Sequence, residues 1–280
     1  MSPARLTFQL LSLAVLLGVT LALYPTWLYL RERARRKQQN LLSRWPIRRV
    51  GLRELDAVFA PSTLGPSLET EVRLLGGIEL LPIEGGTSDL EAWILAVLSK
   101  RARLMLEFGT GSGRTAYIWA RNSPSDARVV TLTLGSGDVA AYRRETGDAD
   151  LDVRNALEES RFSSFYYSDT SVESKILQRY GDSKTFDESP WMGACDLVFV
   201  DGSHALSYVL SDSRKALRLV RPGGLVLWHD YRGPMLPGVY EGLNQLAREL
   251  LLVHIAGTSL VAYRRPVAAE DSRARPFRSG

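Results

Sequence analysis

The feature that most limits what this chain can fold into is the run Asp196-Leu197-Val198-Phe199-Val200, four consecutive apolar residues behind an acid. Strict alternation would mark a strand with one wet face, whereas an unbroken apolar run marks one covered on both. A second run, Leu225-Val226-Leu227-Trp228, follows a stretch in which Leu206, Val209, Leu210, Ser213, Ala216 and Leu217 recur at helical spacing. Arg221-Pro222-Gly223-Gly224 lies between them and is expected to stop that helix and turn the chain. Upstream, Ser88-Asp89-Leu90-Glu91 reads as a capping box opening a helix to about Ser99. Strands are expected over Arg103–Phe108, Arg128–Leu134 and Ile176–Tyr180, with Ala116, Tyr117, Trp119 and Ala120 on the buried side of an intervening helix. A helix over about Val239–Leu251 then leads to a closing hairpin of Leu252–Ala256 and Ser259–Tyr263. Alternation of this kind predicts an α/β fold: a mostly parallel, seven-stranded sheet with helices on both faces. A ligand should bind beyond the carboxyl ends of its strands.

Between the first of these strands and its helix stands Glu107-Phe108-Gly109-Thr110-Gly111-Ser112-Gly113. Glycines there let the backbone bend tightly and approach a ligand closely. The spacing separates nucleotide folds. A dinucleotide site wants G-x-G-x-x-G, but the third glycine arrives one residue early and Arg114 holds the expected place. No G-x-x-x-x-G-K-[ST] pattern occurs, which excludes a P-loop.

An acid two residues before G-x-G-x-G resembles the first motif of class I S-adenosylmethionine-dependent methyltransferases. Val198-Phe199-Val200-Asp201-Gly202-Ser203-His204, Arg221-Pro222-Gly223-Gly224 and Trp228-His229-Asp230-Tyr231 extend that resemblance towards the cephalosporin-hydroxylase-type and sugar O-methyltransferases. The resemblance covers about Thr87 to Arg264. It implies a Rossmann-like methyltransferase fold that binds S-adenosylmethionine through Glu107, Gly109, Thr110, Gly111, Ser112, Gly113 and Asp201. Gly181-Asp182-Ser183 looks like the family's adenine-side motif, which adds Asp182 and Ser183. Many relatives place an acid at the end of the second strand to hold the ribose hydroxyls. This chain has Thr133 there, so Thr133 or a later residue such as Asp138 must serve.

Methyl transfer is an in-line displacement in which the protein aligns the nucleophile, excludes water and removes a proton. A sugar or alkyl hydroxyl is a poor nucleophile at neutral pH, so a base or a metal helps. Asp201 and Asp230 end neighbouring strands, which puts both carboxylates on one rim, and they are expected to be catalytic together with His204 as the base. Asp201, His229 and Asp230 could hold a divalent cation such as Mg²⁺, although an imidazole where some relatives have a carboxylate leaves room for another ion. The blander readings are that Asp201 caps the next helix, Asp230 fixes a turn, and His204 bonds a backbone carbonyl. His254 is expected to be structural; Trp228, Trp191 and Tyr231 could line the site, although aromatic residues at strand ends more often pack. The alternative to an enzyme is a non-catalytic, S-adenosylmethionine-binding scaffold at the membrane.

Charge is uneven. Residues 1–53 hold ten Lys and Arg against the single acid Glu32, so they carry +9 of a net +4 and the rest is −5. The body has no basic stripe, which argues against nucleic acid as a partner. Leu6 to Leu30 contains no charged residue and no histidine, and 25 residues at about 1.5 Å each exceed a hydrocarbon core of roughly 30 Å. Tyr24, Trp27 and Tyr29 suit the headgroup layer, and Pro25 is expected to mark a kink or the helix exit. Arg31, Arg33, Arg35, Arg36 and Lys37 follow, so the positive-inside rule predicts a single-pass membrane protein with its catalytic domain on the cytoplasmic side. The weak cleavage-like site Thr20-Leu21-Ala22 offers a signal peptide as the rival reading. The expected organisation is an anchor and basic segment over 1–37, a connector that could cap the site over 38–86, the methyltransferase domain over 87–265, and a disordered tail over 266–280. Cys195 stands alone, so no internal disulfide can form.

Overall fold

The computed structural model describes residues 18–20, 23–31, 47–59, 70, 86–135, 139–160 and 162–267. Two units divide the chain, Met1–Trp45 and Pro46–Gly280. In the first, residues 23–31 are helical, so Pro25 is not the helix exit. Tyr24 stacks on Trp27 with ring centroids 6.1 Å apart, and the Arg31 guanidinium lies 5.2 Å from the Trp27 centroid. Most of the apolar span Leu6–Leu30 lies outside the described residues, as do Asp138 and the tail beyond Val267. Among the described residues, no helix is long and apolar enough to cross a membrane.

The second unit holds one sheet of eight strands rather than seven: β1 (Arg48–Val50), β2 (Leu104–Phe108), β3 (Arg128–Thr133), β4 (Ile176–Tyr180), β5 (Cys195–Val200), β6 (Val220–Trp228), β7 (Val253–Ile255) and β8 (Val261–Arg264). The extra strand is β1, from the segment expected to be connector. Three residues are too few to show a period, but Ile47 and Val50 are buried and Arg48–Val50 pair in parallel with Val253–Ile255. The order is β1-β7-β8-β6-β5-β2-β3-β4, parallel throughout except where β8 runs against β6 and β7. This is a Rossmann-like α/β fold with a mixed sheet.

Among the described residues of this unit, six α-helices accompany the sheet: α1 (Leu52–Leu55), α2 (Asp89–Ser99), α3 (Arg114–Asn122), α4 (Asp150–Glu159), α5 (Leu206–Leu219) and α6 (Pro237–Leu246). Successive strand side chains point to opposite faces. Met105, Val129, Leu197, Phe199, Leu225 and Leu227 therefore join α2 and α3 in one core, while Leu106, Val130, Val198, Val226 and Trp228 join α5 and α6 in the other. That division explains the unbroken apolar runs.

Arg221-Pro222-Gly223-Gly224 is not a turn between elements. It lies inside β6, where the register against β5 shifts between Cys195 and Leu197. Gly223 adopts φ +79°, and a Cβ on Gly224 would stand 2.7 Å from Val220 and 2.9 Å from the Cys195 carbonyl. From β2 the chain winds outward through β3 to β4, then returns to β5 and winds the other way to β6. The switch point falls between β2 and β5, and the cleft opens at their carboxyl ends.

Candidate active site

The three glycines of the turn after β2 do different work. Gly109 has φ +96°, and a Cβ there would come within 2.0 Å of the Asp201 carbonyl oxygen. Gly113 has φ +80°, and its Cβ would meet Phe165 and Tyr167 at 2.8 Å. Those two positions are glycine because the protein packs against itself. Gly111, at φ +49°, is the one whose Cβ would meet nothing within 4 Å. It faces open cleft, where a ligand's backbone contact belongs. Gly109, Thr110, Gly111 and Ser112 line the cleft, whereas Gly113 does not.

Glu107 lies on β2 beneath this turn, buried, and accepts a 2.7 Å bond from the Thr131 hydroxyl. Burial, with the nearby Asp201 charge adding to it, pushes its carboxyl up to about 8, against the opposing hydrogen bond. It is therefore mainly protonated at neutral pH and can donate into the cleft that it lines. Thr110 bonds the same Thr131 hydroxyl at 2.8 Å.

Phe108, Val200 and Trp228 are aligned across β2, β5 and β6, and the ladder continues one step further. The Asp201 amide donates to Phe108 and the His229 amide donates to Val200, which sets Asp201 and His229 side by side on the rim. Asp230 follows in the left-handed region, φ +61°. That conformation is uncommon for a residue with a Cβ and tends to occur where function demands it. Arg232 Nε holds Asp230 Oδ1 at 2.8 Å, and His204 Nε2 lies 3.0 Å from Asp230 Oδ2. His229 Nδ1 lies 3.0 Å from Asp201 and 3.2 Å from Asp230.

Asp201 does not cap α5. The cap position is Ala205, whose amide donates to Ser203 Oγ. His204, Asp201 and Asp230 line the cleft, while the His229 side chain is wholly shielded behind them. Burial works against a charge on His229, but Asp201, Asp230 and Glu91 outweigh it and hold its pKa well above the usual imidazole value. Burial likewise opposes ionisation of Asp230, yet His204 and His229 depress its pKa. Burial raises the Asp201 pKa, against the pull of His229.

This cluster fits a cation by its geometry. His229 Nδ1 is buried and faces two carboxylates, Asp201 at 3.0 Å and Asp230 at 3.2 Å. One ligand atom from each of Asp201, His229 and Asp230 lies within 4.8 Å of the others. Neighbouring ligands around an octahedral ion at about 2.1 Å stand roughly 3 Å apart.

At the other end of the cleft are Thr133, Asp182 and Ser183. Asp182 is buried, takes the Lys184 amide on Oδ1 and has no hydrogen bond on Oδ2, which suits an amino group such as adenine's. Tyr142, Tyr208 and Asp212 line the cleft without any signal in the sequence. Tyr142 bonds Ser203 at 2.7 Å and stacks on Tyr208 at 4.5 Å, which brings the segment after β3 over the cleft. Asp212 on α5 is buried beside Ser183, with burial raising its carboxyl to about 7. Neither an isolated tyrosine in a polar stretch nor one acid on an amphipathic helix can be recognised before the fold brings them together.

Trp228, Trp191, Tyr231 and His254 are outside the cleft. Trp228 donates to Ser213, Trp191 stacks on Phe186, Tyr231 bonds Asn244, and His254 bonds the Thr258 carbonyl. Cys195 is buried and its thiol is pushed up to about 12, which leaves it inert.

Residues 106–231 match a family model described as a methyltransferase domain. That span contains the glycine turn, Asp201, His204, His229 and Asp230. No curated protein matches the chain. Solved structures similar to it include the O-methyltransferase TomG from Streptomyces achromogenes, involved in tomaymycin synthesis, in complex with S-adenosylmethionine. It is 21% identical over 66% of this chain and 83% of that one, with a TM-score of 0.43. A Bacillus cereus O-methyltransferase in complex with S-adenosylhomocysteine is 19% identical over 65% and 84%, with a TM-score of 0.43. An S-adenosylmethionine-dependent O-methyltransferase from Thermotoga maritima is 14% identical over 66% and 68%, with a TM-score of 0.42.

Proposed function

We propose that this enzyme methylates a hydroxyl group of a small molecule, lipid or glycan precursor, with His204 as general base. The observation that carries this reading is the 3.0 Å pairing of His204 Nε2 with Asp230 at the mouth of the glycine cleft. Bound S-adenosylmethionine supplies a methyl group already activated on a sulfonium, so what remains for the chain is alignment and proton removal. With Asp230 accepting the Nε2 proton, the basic lone pair of His204 lies on Nδ1. The acceptor hydroxyl loses its proton to that atom as its oxygen bonds the methyl carbon. Asp230 steadies the imidazolium that results. Gly111 and Ser112 take the donor's approach, Asp182 and Ser183 its base, and Thr133 with Tyr142 its ribose end. Glu107 offers a proton near the methionine end.

Asp201, His229 and Asp230 would hold a divalent cation, which when bound would supply positive charge beside an acceptor oxygen. A nitrogen ligand favours Mn²⁺, Fe²⁺, Co²⁺ or Zn²⁺ over Mg²⁺. The apolar span Leu6–Leu30 and the basic residues after it support an enzyme tethered to a membrane, with its domain in the cytoplasm.

The test is methyl transfer from labelled S-adenosylmethionine to a panel of hydroxylated acceptors. Removing a general base costs about 10²–10⁴-fold. His204→Ala and Asp230→Asn should fall in that range while S-adenosylhomocysteine still binds. Unchanged turnover in both variants would remove His204 from the mechanism. Extraction of the full chain from membranes by alkaline carbonate would refute the tether.

A further inference from the structure

Glu91 lies in the first turn of α2, 138 residues from His229, and its capping-box role alone would explain its presence. Its carboxylate does more than cap. Oε2 accepts from the Ser88 amide and hydroxyl, each at 2.8 Å. Oε1 accepts from the Ser259 amide at 2.6 Å and the Ser259 hydroxyl at 2.8 Å, across a separation of 168 residues. Four donors pin both oxygens in place. The side chain is buried. The remaining neighbour is His229 Nε2, at 3.4 Å from Oε2. Nδ1 of the same ring is the buried nitrogen that faces Asp201 at 3.0 Å and Asp230 at 3.2 Å.

We propose that Glu91 is a positioning residue for the cation site: it takes the Nε2–H of His229, and so aims the Nδ1 lone pair between Asp201 and Asp230. This rests on the reading of those three residues as cation ligands. An imidazole can present only one lone pair, and the nitrogen carrying the proton is chosen by the partner it meets. A carboxylate behind a ligating histidine also raises the basicity of the ring and fixes its plane. The Ser259 bonds give the arrangement its stiffness, since they tie the start of α2 to the loop between β7 and β8. That loop also holds the rim, because the Ser259 carbonyl accepts from the Tyr231 amide and its hydroxyl from the Asp230 amide. Capping, loop tethering and ring orientation thus meet on one side chain.

The experiment is Mn²⁺ titration of the full chain by calorimetry, alongside S-adenosylhomocysteine affinity and Tm. Removing an outer-shell partner typically weakens metal affinity about 10–100-fold. Glu91→Gln should lose Mn²⁺ affinity in that range while S-adenosylhomocysteine affinity holds within about threefold, which also reports that the variant is folded. Glu91→Asp, which keeps the charge, should recover part of the loss. Ser88→Ala removes one of the two donors on Oε2 but keeps the carboxylate behind the ring, so it should lower Tm and cost less Mn²⁺ affinity than Glu91→Gln. Mn²⁺ affinity unchanged in Glu91→Gln, or reduced equally in Ser88→Ala, would overturn the proposal. A wild-type chain that binds none of Mn²⁺, Co²⁺ or Zn²⁺ would instead overturn the cation reading beneath it.

Discussion

Gly109 and Gly111 are two residues apart in one motif and should fail in different ways. An alanine at Gly109 drives its Cβ into the Asp201 carbonyl at 2.0 Å, backbone against backbone, with nothing flexible to yield. Gly109→Ala should cost more than about 3 kcal/mol and prevent folding at 37 °C, as thermal melts would show. Gly111→Ala meets open space and pays only the left-handed penalty, about 1–2 kcal/mol. It should fold, and calorimetry should find its S-adenosylhomocysteine affinity reduced at least tenfold. Asp212 gives a test in pH. Its folded pKa is raised to about 7, so between the ordinary carboxylate range and pH 7 the unfolded chain binds fewer protons than the folded one. Wild-type stability from this group is full below pH 4 and is lost as pH rises to about 7. The Tm difference between Asp212→Asn and wild type should move in the variant's favour over that window, then level off. A flat difference from pH 4 to 8 would mean that Asp212 titrates normally.

Among elements, β1 and the residues after it bear most on where the folded unit begins. Ile47, Val50, Leu55 and Phe59 are all buried, and Phe59 packs on Trp93 at 5.5 Å. Burying such a side chain contributes about 1.5–3 kcal/mol. A chain beginning at Pro46 should therefore melt as one cooperative unit, whereas one beginning at Ala60 should lose several kcal/mol and aggregate through the bared edge of β7. Equal melting points would assign no stability to β1 and α1. The elements legible beforehand were those with enough residues to carry a period. Ile176–Tyr180 and the capping box at Ser88 stand where the pattern predicts them. Arg221-Pro222-Gly223-Gly224 misled because proline and glycine report a local backbone need, which a turn and an irregular stretch of strand share. Only the neighbouring Cys195 and Arg265 backbones decide between them.

For the whole molecule, a ligand that binds only the folded state must stabilise it. At a hundred times its Kd, S-adenosylhomocysteine should add about 2.7 kcal/mol, and its absence of effect on Tm would contradict the site. What the chain determined by itself was the fold class and the rim. Unbroken apolar runs demand a sheet covered on both faces, and residues that directly follow adjacent parallel strands must share an edge, so Asp201, His229 and Asp230 were legible from position alone. The tertiary structure decided which residues come to that rim from elsewhere. Glu91 lies 138 residues from His229, and Tyr142 lies 61 from Ser203. Neither pairing has a period or a spacing to announce it, because such contacts arise only when separate elements pack. The same packing decided the purpose of the glycines. Local sequence shows that a backbone must bend, but whether a Cβ is barred by a ligand or by the protein's own carbonyl depends on what lies across the gap.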